Sequence, residues 1–346
     1  MCLRFNWAEA QTPRFPIEVN GKFGYIDSWG RVAIPPVYSK GSQFSEGYCK
    51  EVFVSFYWWF YRHLTYIDPK GDSTINTDYV DGGNFSEGLT RVRNATFLGS
   101  EKWGYIDTTG HEIIEPQYLE AGDFHDGRAR VMKRFSINLF NDVEKFGYID
   151  RSGRLVVNYI YDSAGDFSGG LANVTLNGKR GFIDTTGKMI IGLDYDRVGS
   201  FSGGLAAVDV AGNWKYVNTK GETVIPGPFV NAREFHDGLA LVEREGTWRF
   251  IDTTGAQPFD IRFENALFFS SGLAAVEADG LWGYIDTHGN FVIKPRFIDA
   301  DSFIGGLARA EDAVEKGYIN RSGRFVWRSH DNLKEISENR DGYGVK

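Results

Sequence analysis

Seven aspartates fall at one repeated position of this chain, Asp27, Asp68, Asp107, Asp150, Asp184, Asp252 and Asp286, and Asn218 and Asn320 fill the same place twice more. A ladder of carboxylates suggests serial Ca²⁺ binding. Calcium, however, gathers six or more oxygens at about 2.3–2.6 Å, and the repeated position supplies one carboxylate per unit. The two Asn replacements keep a turn-capping side chain and lose the charge. That pattern fits a turn in which the side chain bonds the backbone two residues on. No metal and no cofactor is expected.

Other chemistry-bearing residues lead to the same place. The run Gly181–Lys188 invites comparison with a phosphate-binding loop, but five residues separate Gly181 from Gly187, and Met189 stands where Ser or Thr would hold Mg²⁺. The histidines form no ligand pattern, and His125 and His236 occupy one equivalent loop position. Ser45, Ser86, Ser168 and Ser202 are likewise equivalent. A nucleophile needs one activated hydroxyl with a base in reach, so the expectation is a protein that is not an enzyme.

These residues are equivalent because the chain is a repeat. An aromatic–Ile/Val–Asp/Asn core recurs nine times, with anchors Ile26, Ile67, Ile106, Ile149, Ile183, Val217, Ile251, Ile285 and Ile319. The last five intervals are each 34 residues and the first three are 41, 39 and 43. Counting from the anchor, position −1 is aromatic, +4 is Gly (Gly187, Gly289), +12 is aromatic and +18 is Phe. Segments such as Leu273–Ala278, Trp282–Asp286 and Phe291–Lys294 read as short strands between turn residues. Asp279-Gly280 marks a tight hairpin, and Gly187 and Gly289 call for positive φ with Asp184 and Asp286 capping the turns.

The run Gly280–Phe297, followed by Phe303-Ile-Gly-Gly-Leu-Ala308, resembles the bacterial WG-repeat family, also called KWG repeats. The Trp-Gly pair itself stands at Trp103-Gly104 and Trp282-Gly283. The resemblance implies an all-β repeat module used for binding and carries over no catalytic residues. We expect an N-terminal segment at 1–13, an array of nine three-stranded antiparallel units at 14–327 and a polar tail at 328–346. No strand is shared between the ends of the array, so the phase of the repeat favours an open twisted solenoid over a closed propeller.

The insertions carry the functional reading. Anchor and +18 Phe are always 18 residues apart, so all the extra length lies in the hairpin between first and second strands of three consecutive units. Per-repeat insertions map to loops on one face, often the binding face. The first is dense in rings, with Phe56, Tyr57, Trp58, Trp59, Phe60, Tyr61 and Arg62; the second carries Phe97, and the third Arg134, Phe135 and Phe140. These residues are expected to bind a protein partner, or to serve self-association or capping of the array. The alternative is a carbohydrate- or cell-wall-binding repeat protein that stacks sugars on exposed rings. A net charge of −8 argues against nucleic acid or an anionic membrane as partner. With no apolar leader and two cysteines, a cytoplasmic protein is expected.

Overall fold

The computed structural model describes residues 13–55, 61–94, 101–138 and 141–329, and the described residues are strands, turns and loops without a helix. The strands form nine small antiparallel sheets. They fall into two compact units, residues 42–228 and residues 12–41 with 229–346. The first unit holds the second to sixth sheets. The other holds the first, seventh, eighth and ninth.

The fourth sheet illustrates the plan. Its order is Glu120–Ala121, Arg128–Asn138, Asn141–Asp150, Leu155–Tyr161. Six sheets have four strands in this way, which corrects the three-stranded unit expected above. The added strand is two residues long and lies at +14 and +15 of the preceding repeat, as in Ser163–Ala164 and Asp299–Ala300. Two residues are too few to leave a periodic signal.

Each sheet is built on its middle strand. The −1 aromatic and the anchor are buried throughout, from Tyr25 and Ile26 to Tyr318 and Ile319. In most sheets the −1 ring meets the next +18 Phe edge to face, as in Tyr105–Phe124 and Tyr148–Phe167, both with centroids 4.9 Å apart. Burying each ring stabilises by roughly 1.5–3 kcal/mol, and the edge-to-face geometry adds about 0.5–1.5 kcal/mol. The Tyr hydroxyl then crosses to the following sheet. Tyr66 donates to the Gly83 carbonyl at 3.0 Å, Tyr105 to Gly122 at 2.7 Å, Tyr148 to Gly165 at 2.7 Å and Tyr284 to Asp301 at 2.8 Å.

The same bond overturns the open solenoid. Tyr318 of the ninth sheet donates to the Pro16 carbonyl of the first at 2.9 Å, across 302 residues of sequence. Phe15, Ile17, Val19 and Ile26 share one core with Leu307, Tyr318 and Trp327. A solenoid keeps its first and last units apart. Here they are neighbours within one compact unit, which overturns the open solenoid and is the end-to-end contact of a closed propeller. Closure needs no shared strand, because the sheets join through side-chain cores and the Tyr bond.

The turns are as the sequence indicates. Gly187 and Gly289 have φ of 89° and 84°. Asp184 Oδ1 accepts the amides of Thr186 and Lys188 at 2.9 and 3.0 Å, and Asn218 Oδ1 accepts those of Lys220 and Glu222, both at 3.0 Å. One side-chain oxygen of each residue is thus committed to the turn backbone.

Glycine at −2 has a different task. In the third sheet Tyr105 pairs with Ile114 but Trp103 pairs with Tyr118, so residues 115–117 bulge over Gly104. A Cβ there would lie 2.4 Å from the Ile114 carbonyl and 2.6 Å from the Pro116 nitrogen. In two of the three sheets where another residue replaces this glycine the third strand is shorter. With Thr65 it shortens to Ser73–Asn76, and with Arg249 it shrinks to the single Trp248–Phe263 bridge. Lys215 leaves a full strand, Thr223–Phe229, so a side chain at −2 does not by itself shorten the third strand.

Candidate functional site: the extended hairpins

The three insertions do lie in one class of hairpin. In the second sheet, Cys49–Ser55 and Tyr61–Ile67 stay in register out to Ser55 and Tyr61. Phe56, Tyr57, Trp58, Trp59 and Phe60 lie outside the described residues, and of Tyr61 and Arg62 only the strand position is described. In the third sheet the ladder ends at Arg93 and Trp103, closed by the Lys102 amide on Asn94 Oδ1 at 2.8 Å. Phe97 lies outside the described residues, as does Phe140.

The third hairpin is described nearly to its tip. Its strands, Arg128–Asn138 and Asn141–Asp150, pair out to Asn138 and Asn141. The short strand ends opposite Met132, and Leu155–Tyr161 ends opposite Phe146. Beyond that point two strands run on alone as a ribbon, and strand alternation sorts their side chains. Arg134 and Ser136 are on one side, ion-paired to Glu144 at 2.7 Å and hydrogen-bonded to Asp142 at 2.7 Å. Lys133, Phe135 and Ile137 are on the other. Phe135 leans on the Tyr159 ring, centroids 5.6 Å apart, yet keeps 41% of its surface exposed, and Ile137 keeps 65%. Lys133 Nζ stands 5.3 Å from the Tyr118 ring and 5.7 Å from the Tyr159 ring and donates to Gln117.

Arg134 was expected to offer its charge to a partner. In the folded chain it is ion-paired across the ribbon to Glu144. Sequence reasoning passed over Lys133, Tyr118 and Tyr159 as site residues. Tyr118 and Tyr159 belong to third strands, and only the tertiary structure brings those strands beside the ribbon. Trp103 was likewise missed as more than scaffold. Arg91 and Arg93 lie over its ring at 5.5 and 5.4 Å, and Glu101 and Asp81 hold Arg93 at 2.7 and 3.3 Å.

Among the described residues no group of three or more metal-ligating side chains gathers, and no helix is long and apolar enough to cross a membrane. The aromatics that define the repeat are scaffold. The +18 Phe is buried in seven of its eight occurrences, Phe44 being half-buried, and the +12 ring is buried in seven of eight, Tyr79 being the half-buried one.

Fold and hairpins together define an all-β protein built of repeated small sheets, with the fourth-sheet hairpin running on beyond its sheet. Residues 23–50, 65–95, 103–134, 146–179, 181–214, 216–248, 248–282 and 282–312 match the family described as WG containing repeat, and the chain belongs to that family. No curated protein matches the sequence. Among solved structures, the chain is similar to a eukaryotic initiation factor (11% identity, TM-score 0.45, 92% of this chain and 97% of that one). It is also similar to apo AztD from Citrobacter koseri (12%, TM-score 0.39, 90% and 92%) and to prolyl oligopeptidase B from Galerina marginata (10%, TM-score 0.41, 83% and 56%).

Proposed function

We propose that this protein is a non-enzymatic scaffold, cytoplasmic and of the bacterial KWG type, that holds a protein partner on the ribbons of its second, third and fourth sheets. The supporting observation is the fourth-sheet ribbon, which runs beyond its sheet with Phe135 and Ile137 exposed on one side. Apolar and aromatic side chains of this kind, clustered and ringed by polar groups, are the anchors that dominate protein interfaces. Phe56, Tyr57, Trp58, Trp59, Phe60, Tyr61, Arg62, Phe97 and Phe140 are included among the partner-binding residues in this reading on their sequence position in the three insertions. Arg134 stiffens the ribbon through Glu144 and helps hold Phe135 in place.

The test compares affinity capture by the wild type with capture by the Phe135→Ser/Ile137→Ser double variant. A partner retained by the wild type should bind the variant at least about a hundredfold more weakly, close to 2.7 kcal/mol. Thermal stability should barely change, since both side chains are already exposed. Equal retention of the partner, or a loss of stability that accounts for the weaker binding, would make the ribbon a structural cap.

A further inference from the structure

Three departures from the repeat coincide in the second sheet. Thr65 replaces the −2 glycine, and the third strand ends early at Asn76. Residues 77–79 then pass as an irregular bulge, in which Leu64 donates to the Tyr79 carbonyl at 2.8 Å and accepts from the Thr77 amide at 3.1 Å. The +12 ring, Tyr79, is left half-buried. Beside this passage opens a cleft of about 760 Å³ lined by His63, Thr65, Asn76, Asp78, Tyr79 and Asn94 among others. Small-molecule sites run to roughly 300–1,000 Å³, so the size is right for a compact ligand.

We propose that this cleft binds a neutral sugar. The Tyr79 ring is fixed by its own hydroxyl, which donates to Glu112 Oε2 at 2.5 Å, and it presents the flat apolar body against which the C–H face of a sugar rests. Around it stand groups that read hydroxyls. Asn76 accepts from Thr65 Oγ1 at 3.1 Å and Asn94 accepts from the Lys102 amide at 2.8 Å, each through Oδ1. Their Nδ2 donors therefore remain for a ligand, while the exposed Asp78 carboxylate offers two acceptor oxygens. Among the described lining residues neither Lys nor Arg stands beside Asp78, and His63 is the only titratable base, so an anionic ligand would face a carboxylate with no fixed cation among them. A neutral polyol is the ligand class that matches two amide donors, one carboxylate and a held ring.

The proposal is independent of the ribbon, and its test keeps the two apart. Saturation-transfer NMR and calorimetry on the full chain would use glucose, galactose, N-acetylglucosamine and cellobiose at millimolar concentration. Glucose 6-phosphate and inorganic phosphate serve as charged comparators. At least one neutral sugar should bind, and Asp78→Ala or Asn76→Ala should weaken it by about tenfold or more. The melting temperature reports folding, with Asp78→Asn used if Asp78→Ala does not fold. The Phe135→Ser/Ile137→Ser variant should bind the same sugar unchanged. Binding of none of the four sugars, undiminished binding by the folded Asp78 and Asn76 variants, or preference for the phosphorylated comparators would each overturn the proposal.

Discussion

Replacing Gly104 by Ala tests why this repeat carries glycine after its tryptophan. The added Cβ would sit 2.4 Å from the Ile114 carbonyl and 2.8 Å from the Glu115 carbonyl carbon, both backbone, so no flexible side chain can yield. If the bulge only shifts, the cost is that of overpacking, about 1–3 kcal/mol. If the third strand Glu112–Tyr118 lets go, Ile114 and Tyr118, now 5% and 2% exposed, lose their burial at roughly 1.5–3 kcal/mol each, or about 3–6 kcal/mol in all. Thr65 shows that a neighbouring sheet survives a side chain here by reshaping the bulge, so the overpacking range, about 1–3 kcal/mol, is expected. Chemical denaturation gives the loss. Hydrogen exchange should localise it, with amides of Glu112–Tyr118 opening while those of the fifth sheet keep their protection. A Gly104→Ala protein within about 0.5 kcal/mol of wild type, the ordinary range of a surface substitution, would refute the steric account.

Two further outcomes follow from the seam and from the turns. Phe15→Ala should cost about 3–5 kcal/mol and deprotect amides in both the first and the ninth sheets, because Phe15 packs on Tyr318 with centroids 5.7 Å apart; exchange confined to residues 15–38 would mean that the first sheet is merely appended. The hydroxyls of Thr109, Ser152, Thr186 and Thr254 are the chief cause holding Asp107, Asp150, Asp184 and Asp252 below the ordinary carboxylate value. The folded chain thus releases these protons more readily than the unfolded chain, so their stabilisation is complete above about pH 4 and drains away as pH falls through the folded values. Changing all four to Asn, which already serves at 218 and 320, should flatten the melting temperature against pH below about pH 4. An unchanged acid slope would show that other groups govern it.

How much of this was legible in the sequence depends on whether the signal repeats. The anchors, the −1 aromatics, the +18 Phe and the Asp turns recur with fixed spacing, and each sits where its periodicity and turn chemistry place it. The short strands at +14 and +15 escaped because their mark is one small residue, as in Ala121, Ala164 and Ala300, within what reads as a loop. Closure escaped for a different reason. The phase of the repeat was a sound observation, but it bears on shared strands, and the seam is made by Phe15, Tyr318 and Trp327 in a common core. Nothing in a one-dimensional pattern couples residues 302 positions apart.

The candidate sites invert that logic, because they lie where the repeat fails. Insertion lengths alone pointed to the hairpins, and the fourth-sheet ribbon does project with Phe135 and Ile137 uncovered. The sequence did not show that Arg134 is ion-paired to Glu144 ten residues on. Pairing across a ribbon is set by register, and register needs the position of the turn. The cleft in the second sheet left a clearer trace that was not followed. Thr65 was already visible as a departure from the Trp-Gly pair, and so were the glycines it departs from. What the sequence withheld was the task of that glycine, which is to let the third strand fold over the second at van der Waals distance. Once that task is known, a replacement at −2 directs attention to the third strand, and beside Thr65 and Arg249, though not beside Lys215, that strand is shorter than in the third sheet. In a repeat whose aromatics are mostly buried, Tyr79 is a half-buried +12 ring next to such a residue, and it is there that the cleft opens.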